Sequence, residues 1–521
     1  MAEIVLVSPR HEISYWGLEY SLPMLGKRAV APPAALALLA SLTPAEHRVT
    51  IVDENVEPLD FDRLARADIV GVTGMNTQRA RMREILVELK RRGAFTAVGG
   101  PFVSVREEYF GDLADAVFVG EAEESWPRFL LDWSDGRPQR RYEQPEHTDM
   151  SSVPTPRYGL LDMSRYLLGS LQFSRGCPNQ CDFCDMIVIF GRRPRLKTAA
   201  QVIAELEILR AQGVLSAFIV DDNLIGNRQA IKPLLREIIA WQQAHNFPIT
   251  FFAQTSLDLA ETDELRQLMV DANVQAVFIG VESPDEHSLR EVGKLHNLRR
   301  GTTIAERVRR VQDSGIEVWA GMIVGFDHDD PGVFARQRDF LREARISQSF
   351  VSLLYAPPKT PLYARLEAEG RIDPDDELGY GTNVVPLGMS RDALRDGYLH
   401  LMQEIYDPQF YFDRVEDLYL TGAIPMGDGP ARHWRRHPWA WLKGQTMNWI
   451  RCGVQYCRLM RGVDDRQLRA FYRRRMWRLL RRRRDPILLL SFLLRCVGHH
   501  HFQAMTEHMA GARMVAANPF Y

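Results

Sequence analysis

Three cysteines within eight residues carry the clearest chemistry in this sequence. Cys177, Cys181 and Cys184 have the spacing C-x3-C-x2-C, and an apolar run that ends at Phe173 leads directly into them. Thiolates are the usual ligands of iron–sulfur clusters, and a closed [4Fe–4S] cubane takes four of them. Three protein thiolates therefore leave one iron open to a small molecule. Such an iron can pass one electron to S-adenosylmethionine and cleave it into methionine and a 5′-deoxyadenosyl radical.

Two simpler interpretations of the three cysteines stay open: a zinc knuckle with a distant fourth ligand, and buried thiols. A zinc site usually shows two C-x2-C pairs or a downstream histidine, and neither follows here. Gly176, Pro178 and Phe183 surround the cysteines and suit a loop wrapped round a cluster. We therefore adopt the cluster as the prediction.

Length and composition indicate a cytoplasmic globular protein. The chain has 521 residues, of which 45% are hydrophobic and 25% are charged, so we expect two or three domains with sizeable cores. Six cysteines, three of them clustered, do not resemble a disulfide framework. The start of the chain lacks the pattern of a secretory signal peptide, since Ile4–Val7 is only of strand length.

Residues 1–140 predict a doubly wound, flavodoxin-like α/β domain. Short apolar runs alternate here with helical stretches, which is typical of buried parallel strands joined by helical crossovers. The runs are Ile4–Val7, Val49–Val52, Ile69–Val72, Thr96–Val98 and Ala116–Val119. Ligands of such sheets bind beyond the carboxyl ends of the strands.

The loops at those ends supply the candidate ligand-binding residues of this domain. They are Gly74, Met75, Asn76, Gly99, Gly100, Gly120 and Glu121. Gly99-Gly100 lets a ligand approach the backbone closely, although glycine pairs after strands are also ordinary turns. A G-x-G-x-x-G motif does not follow the first strand, which argues against a nicotinamide dinucleotide.

A proline-containing linker, 141–168, leads to a second α/β segment, 169–372. Six strand and helix pairs predict a partial (β/α)6 barrel, whose chemistry is expected at the carboxyl ends of the strands. The strand candidates are Leu171–Ser174, Ala217–Val220, Ile249–Ala253, Ala276–Ile279, Val318–Val324 and Phe350–Tyr355. The cysteine loop follows the first of them.

Polar residues and glycines recur at the ends of the later strands. The candidates are Asp222, Asn223, Glu282, Ser283, Gly321 and Gly325. A carboxylate such as Glu282 can accept hydrogen bonds from ribose hydroxyls, and a glycine-rich strand lets adenine lie against the backbone. The alternative for the polar residues is a helix N-cap, because Asp and Ser after a strand often open the next helix.

The cysteine spacing, with an aromatic residue before the third cysteine, resembles the signature of the radical S-adenosylmethionine superfamily. The order of flavodoxin-like sheet, linker and cysteine loop resembles its cobalamin-binding branch, with a class B methylase-like architecture. The resemblance implies that the three cysteines hold a [4Fe–4S] cluster, that the later strand ends bind S-adenosylmethionine, and that the first domain binds cobalamin. The chain lacks the D-x-H-x-x-G loop that supplies a histidine to cobalt elsewhere, so cobalt would be held near Gly74–Thr77 without one. A degenerate sheet kept for substrate binding is the alternative.

The resemblance implies an enzyme that needs an external electron donor and acts on a small-molecule or lipid substrate. Methyl transfer from methylcobalamin to an unactivated carbon is the favoured reaction. A non-methylating radical cyclase or rearrangement enzyme remains an alternative, as does a regulatory protein that only binds the cofactors.

Residues 373–521 predict a mainly helical, basic extension. Between Arg451 and Arg495 fourteen Arg face three Asp, a local charge of +11 that leaves −13 for the remainder. Tyr472, Met476, Leu479 and Leu480 share one helical face, and the apolar Ile487–Leu494 follows. We weigh three roles: a helix packed on the barrel, peripheral contact with an anionic membrane, and nucleic acid as the least favoured partner. Cys452, Cys457, Cys496 and His499–His501 show no clean ligand spacing.

Overall fold

The first part of the chain forms a six-stranded parallel sheet flanked by helices. The computed structural model describes residues 1–298, 301–373, 380–421, 424–425 and 429–515. The strands are β1 (Glu3–Ser8), β2 (Arg48–Asp53), β3 (Ile69–Thr73), β4 (Thr96–Gly99), β5 (Ala116–Val119) and β6 (Arg141–Glu143). The helices are α1 (Leu22–Leu25), α2 (Ala34–Leu42), α3 (Phe61–Leu64), α4 (Arg79–Arg91), α5 (Pro101–Val105) and α6 (Ser125–Ser134).

This sheet has the flavodoxin-like strand order that the apolar runs predict. The order is β2-β1-β3-β4-β5-β6, and each neighbouring pair is parallel. The five predicted strands are all present because their Val and Ile side chains are buried on both faces of the sheet. The sixth strand, β6, lies at the start of the segment predicted as a linker.

The second part of the chain forms the predicted six-stranded partial barrel. Its strands are β7 (Gly169–Leu171), β10 (Ser216–Ile219), β11 (Thr250–Thr255), β12 (Val274–Glu282), β13 (Glu317–Val324) and β14 (Gln348–Leu353), and a short hairpin adds β8 (Ser174–Arg175) and β9 (Arg195–Leu196). The six barrel strands are parallel in the order β14-β13-β12-β11-β10-β7, so β7 and β14 are the edges of an open barrel. The predicted fold class is confirmed.

Helices connect successive barrel strands and cover the sheet. They are α7 (Met186–Ile189), α8 (Ala199–Ala211), α9 (Arg228–Ala244), α10 (Asp263–Asp271), α11 (Glu286–Glu291), α12 (Ile304–Asp313), α13 (Val333–Glu343) and α14 (Pro361–Ala368). The longest connection, from β7 to β10, contains the cysteine loop. The antiparallel β8–β9 pair joins the two ends of the cysteine loop and so closes residues 176–194.

The first domain inserts two aromatic side chains into the barrel. The Tyr15 hydroxyl donates a 2.9 Å hydrogen bond to the carbonyl oxygen of Val351 in β14. Trp16 stacks on Phe350 with ring centroids 4.7 Å apart, and its ring also lies 5.8 Å from that of Phe278. These contacts fix the first domain against the second.

The carboxyl-terminal part is helical, as its pattern predicts. Its helices are α15 (Arg391–Ile405), α16 (Pro408–Glu416), α17 (Ala431–Arg436), α18 (Pro438–Gly462), α19 (Arg466–Arg482) and α20 (Pro486–Ala512). The apolar run Ile487–Leu494 lies in α20, where Leu488, Leu489, Phe492 and Leu493 are buried in the core. Arg495 of α20 pairs with Glu317 at the start of β13, so this helix covers the amino-terminal end of the barrel.

Buried histidines of the extension serve packing. The Tyr472 hydroxyl lies 2.6 Å from Nδ1 of His499, whose Nε2 lies 3.0 Å from the carbonyl oxygen of Tyr406. Burial lowers the pKa of His499 to about 3, so its ring is neutral. His501 is likewise buried against the carbonyl oxygen of Ser14. Across the described residues, a helix with the length and apolar character to cross a membrane is not found.

Candidate active site

The cysteine loop begins at a turn that only glycine fits. Gly176 has φ +96°, and a Cβ at this position would lie 2.8 Å from the carbonyl oxygen of Arg193 and 3.1 Å from that of Gly191. The Cys177 amide donates to the same Gly191 oxygen at 3.3 Å. The two sides of the loop are therefore in direct backbone contact next to the first cysteine.

Three consecutive residues after β10, Asp221, Asp222 and Asn223, form hydrogen bonds to the start of this loop. The Asp221 carboxylate accepts hydrogen bonds from the amides of Phe173 and Ser174, both at 2.8 Å. The Asp222 carboxylate accepts from the Gly176 amide at 2.7 Å, and the Asn223 side-chain amide donates to Cys177 Sγ at 3.9 Å. The next helix, α9, is capped by Asn227 instead. Asp222 and Asn223 thus act on the cysteine loop and are not N-caps.

Glu282 ends β12 in a strained conformation beside the second cysteine. Its φ of +66° is uncommon for a side chain with a Cβ and marks a constrained site. Its carboxylate forms a buried ion pair with Lys294, whose Nζ lies 5.7 Å from the centre of the Phe183 ring. Burial alone would lower the pKa of Lys294, but Glu282 and the nearby Cys181 hold it above its ordinary value.

The cysteine side chains suit a buried metal cluster. Burial raises the pKa of the Cys177, Cys181 and Cys184 thiols, most strongly for Cys184. A bound cation reverses this tendency, because a thiol that coordinates a metal is deprotonated. Asp185 Oδ1 is buried without a hydrogen-bond partner among the described residues, as expected beside a site that receives a ligand.

The thiols do not converge on one point. In the described ranges, no group of three His, Cys, Asp or Glu side chains is close enough to hold a single metal ion. The ligands of a cubane instead lie around it, each facing a different iron. The donor set of three thiols on one closed loop fits a [4Fe–4S] cluster with one iron left open.

The remaining predicted residues of the barrel lie in packed or turn positions. A Cβ on Gly321 would lie 2.6 Å from the Phe278 ring, so this glycine makes room for an aromatic side chain. Gly325 has φ +105°, and its amide donates to Asp329 at 2.8 Å. The Ser283 hydroxyl oxygen accepts from the Asp285 amide at 3.1 Å, directly before α11.

A deep cleft separates the carboxyl ends of the first sheet from the mouth of the barrel. Residues of both domains line it. From the first domain the lining includes Thr73, Gly99, Gly100, Ser104, Gly120 and Glu121; from the barrel it includes Leu171, Gln172, Arg175, Ile189, Phe190 and Val220. Ile189 and Phe190 follow closely after Cys184, so the cleft reaches the cysteine loop.

Of the residues predicted to bind a ligand in the first domain, some line the cleft and others lie beside it. Gly120 has φ +75°, and a Cβ there would face open space within the cleft. Gly100 has φ +105° and approaches Thr73, whose Oγ1 would lie 2.3 Å from an added Cβ. Gly74, Met75 and Asn76 follow β3 beyond Thr73, where the cleft lining on that strand ends.

Glu121 connects the two domains. Its carboxylate accepts hydrogen bonds from Arg175 at 2.7 Å and from Arg195 at 2.9 Å, the residues that form the β8–β9 pair. It also accepts from the Thr148 amide at 2.9 Å. Burial alone would raise the pKa of Glu121, but the two guanidinium groups hold it below its ordinary value. The cleft floor and the base of the cysteine loop are therefore joined by buried ion pairs.

Sequence reasoning did not find Arg175, Arg195 and Lys294. Arg175 stands two residues before Cys177, which was the only available signal for it. Lys294 lies in a loop and Arg195 in the two-residue strand β9, neither within a motif, and their partners Glu282 and Glu121 are brought to them only by the fold.

Family models match three successive parts of the chain. The B12 binding domain matches residues 28–130, the radical SAM superfamily matches residues 171–333, and a domain of unknown function, DUF4070, matches residues 360–513. The first two cover the two walls of the cleft.

Relatives that match about four fifths of the chain show its family. The chain is 37% identical to the hopanoid C-2 methylase of Rhodopseudomonas palustris over 419 residues, which are 79% of this chain and 78% of the relative. It is 36% identical to an uncharacterized methyltransferase of Synechocystis over 81% of this chain and 79% of that one. The chain belongs to the cobalamin-dependent radical S-adenosylmethionine methylases. As a member of this family it is an enzyme that uses a [4Fe–4S] cluster, S-adenosylmethionine and cobalamin, and methylation is favoured over rearrangement.

Two solved structures share the fold. The cobalamin-dependent radical enzyme OxsB, with aqua-cobalamin and S-adenosylmethionine bound, gives a TM-score of 0.61 at 14% identity and covers 99% of this chain and 82% of its own. The methyltransferase TsrM from Kitasatospora setae, with cobalamin and a [4Fe–4S] cluster bound, gives 0.57 at 21% identity over 71% and 75% of the two chains.

Proposed function

We propose that this methylase transfers a methyl group to an unactivated carbon of an apolar lipid, and that Cys177, Cys181 and Cys184 hold its [4Fe–4S] cluster. When bound, the cluster and S-adenosylmethionine supply a deoxyadenosyl radical that removes a hydrogen atom, and cobalamin supplies the methyl group. The observation that carries the proposal is a cleft lined by both domains, whose barrel side includes residues that follow Cys184.

The chain's own residues divide the work around this cleft. Asp222 and Asn223 fix the start of the cysteine loop through Gly176 and Cys177. Glu282, held in a strained turn beside Lys294, presents a carboxylate suited to the ribose of S-adenosylmethionine. Gly99, Gly100 and Gly120 line the cleft and would hold cobalamin, and only at Gly120 would a side chain project into open space. Gly74, Met75 and Asn76 then border the site instead of lining it.

The apolar lining of the cleft supports a lipid substrate. Leu6, Leu36, Leu39, Ala97, Phe118 and Trp126 contribute to its walls. The relative from Rhodopseudomonas palustris acts on a hopanoid, as its name states. We assign a substrate of that class to this chain, together with an external one-electron donor and peripheral contact with the membrane that contains the substrate.

Anaerobically reconstituted protein tests the assignment. Incubation with S-adenosylmethionine, a reductant, cobalamin and a hopanoid should give both 5′-deoxyadenosine and S-adenosylhomocysteine, measured by mass spectrometry with the methylated lipid. Deoxyadenosine without S-adenosylhomocysteine would replace methylation by a rearrangement. The absence of both products from iron-loaded protein would overturn the proposal.

A cysteine variant series separates the cluster loop from the other thiols. Cys177→Ala, Cys181→Ala and Cys184→Ala should each lower bound iron and sulfide and reduce deoxyadenosine formation to background. Cys457→Ala is the matched control, because this thiol is exposed on α18. Equal iron content in all four variants would show that the loop is not the ligand.

A further inference from the structure

Helix α18 presents an apolar face that the described part of the protein does not cover. Trp439 is 83% exposed and Ile450 54% exposed, and Leu442, Met447, Trp449 and Val454 on the same side of the helix are exposed as well. Only Cys452, Gln455 and Leu459 of this helix are buried, all in its second half. Such a concentration of exposed apolar side chains marks an interaction surface.

The same helix is basic. It contains Lys443, Arg451, Arg458 and Arg461 and no acidic residue. Tryptophan and aliphatic side chains beside Lys and Arg are typical of helices that lie in the interface of a bilayer, where the apolar groups enter the acyl boundary and the cations meet anionic headgroups.

An arginine-lined cavity lies next to this face, between α18 and α19. Its lining includes Arg461, Arg466, Arg469, Arg473 and Tyr456. Arg469 donates to the carbonyl oxygen of Met460 at 3.4 Å. The other three arginines have no ion-pair partner within the described ranges, whereas Arg475 and Arg478 on the same helix α19 pair with Glu416.

The chemistry of this cavity favours a phosphate group. Several guanidinium groups around one space bind phosphate oxygens through charge-assisted hydrogen bonds. The acidic residues of the nearby turn are Asp464 and Asp465, and Asp465 accepts the Gln467 amide at the start of α19. The cations therefore outnumber the anions at this junction.

We infer that α18 and the adjoining arginine cavity form a docking surface for an anionic phospholipid bilayer, with one phospholipid headgroup in the cavity. The inference rests on the proposed lipid substrate and extends it to a specific surface. A second copy of this chain fits less well, because two basic faces would repel each other. Nucleic acid gives no reason for Leu442, Ile450 and Val454 to be exposed.

Vesicle flotation of the full-length protein tests the surface. Wild-type protein should float with vesicles of phosphatidylcholine and phosphatidylglycerol, and much less with phosphatidylcholine alone. Arg461→Gln/Arg473→Gln should weaken the partition by about 25-fold, from about fivefold for each basic residue near an anionic membrane. Trp439→Ser/Ile450→Ser should reduce flotation even at low salt.

Matched variants show whether the effect is local. Arg91→Gln/Arg137→Gln removes two exposed arginines, and Leu131→Ser/Leu215→Ser removes two exposed leucines, all elsewhere on the surface. Both control variants should float like the wild type. Equal flotation of all variants, or no flotation of the wild type at low salt, would overturn the inference.

Further measurements separate the alternatives. Competition by inorganic phosphate that abolishes flotation completely would leave a phosphate site without a bilayer surface. A dimer in solution that Trp439→Ser/Ile450→Ser dissociates would assign the face to a second copy. Tight binding of single-stranded DNA, with loss of vesicle binding, would assign it to nucleic acid.

Deoxyadenosine formation distinguishes failure of this surface from failure of the proposed function. The surface variants should form deoxyadenosine at the wild-type rate with substrate in detergent, since none of the substituted residues is among those that line the cleft. Wild-type protein that makes deoxyadenosine but does not bind vesicles would contradict only the docking surface. Wild-type protein that floats but makes no deoxyadenosine would sink only the function.

Discussion

The carboxylate of Glu121 accepts a 2.7 Å hydrogen bond from the guanidinium of Arg175, and both side chains are buried. Glu121 follows the fifth strand of the first domain, and Arg175 stands two residues before Cys177. Several ion pairs therefore join the two sides of the cleft, because Arg175 also pairs with Glu123 at 2.7 Å and Arg195 pairs with Glu121 at 2.9 Å.

Removal of the charge on Glu121 should destabilise the cysteine loop. Glu121→Gln leaves Arg175 and Arg195 with less compensation in a buried site, and we expect the free energy of unfolding to fall by about 3 kcal/mol. Iron retained per chain after anaerobic gel filtration should fall with it. Glu124→Gln, at an exposed neighbouring position, should change neither quantity. Full iron retention in Glu121→Gln would show that the loop does not depend on this contact.

Addition of one methyl group at Gly120 should obstruct cobalamin. Gly120 and Gly136 have φ values of +75° and +72°, and an added Cβ would meet no atom within 4 Å at either site. Gly120→Ala and Gly136→Ala should therefore cost similar stability, about 1 kcal/mol of backbone strain. Of these two glycines, only Gly120 lines the cleft. Cobalamin affinity, followed by absorbance titration, should fall in Gly120→Ala alone, and equal affinities would remove Gly120 from the site.

The Glu282–Lys294 pair allows stability and function to be separated. Lys294→Met leaves a buried carboxylate without its cation and should destabilise the protein by about 3–5 kcal/mol. Glu282→Gln/Lys294→Met removes both charges and should recover most of that loss. If Glu282 binds S-adenosylmethionine, the double variant should recover stability but form deoxyadenosine more slowly than the wild type. Recovery of both stability and turnover would assign the pair a structural role only.

The buried His499 should make stability depend on pH. Its pKa in the folded protein is about 3, against an ordinary value of 6.5, so the unfolded chain binds an extra proton between these values. The contribution is complete above pH 6.5 and is lost as the pH falls towards 3. Relative to His499→Gln, the wild type should lose about 2 kcal/mol between pH 7.5 and pH 5.

Urea unfolding at the two pH values measures this difference. His400→Gln is the control, because His400 is exposed on α15 and its side chain is 71% accessible. It should follow the wild type at both pH values. Parallel curves for the wild type and His499→Gln would contradict the assignment of a neutral buried ring.

Strands and the cysteine loop were predictable because their signals are local. Buried parallel strands are recognised by runs such as Val49–Val52, and the order of such runs gives the two sheets. Strand β6 was missed because Arg141 and Glu143 are exposed and only Tyr142 is buried, so no apolar run marks it.

The roles of the strand-end residues were less predictable because their partners are distant in sequence. Asp222 binds the amide of Gly176, 46 residues earlier, and this contact cannot be told from capping by composition. Gly321 has the same one-letter signal as a cofactor contact, yet the Phe278 ring of the neighbouring strand occupies the space beside it. Only the packed sheet distinguishes these cases.

The side chains of Tyr15 and Trp16 have a consequence for how the catalyst opens. A domain whose loop is stacked between the aromatic rings of its neighbour does not swing away as a hinged flap, since each excursion would expose Trp16 and break the Tyr15 bond to Val351. The two halves therefore stay in register from one turnover to the next. Entry of substrate and exit of product then depend on small local segments at the rim of the cleft.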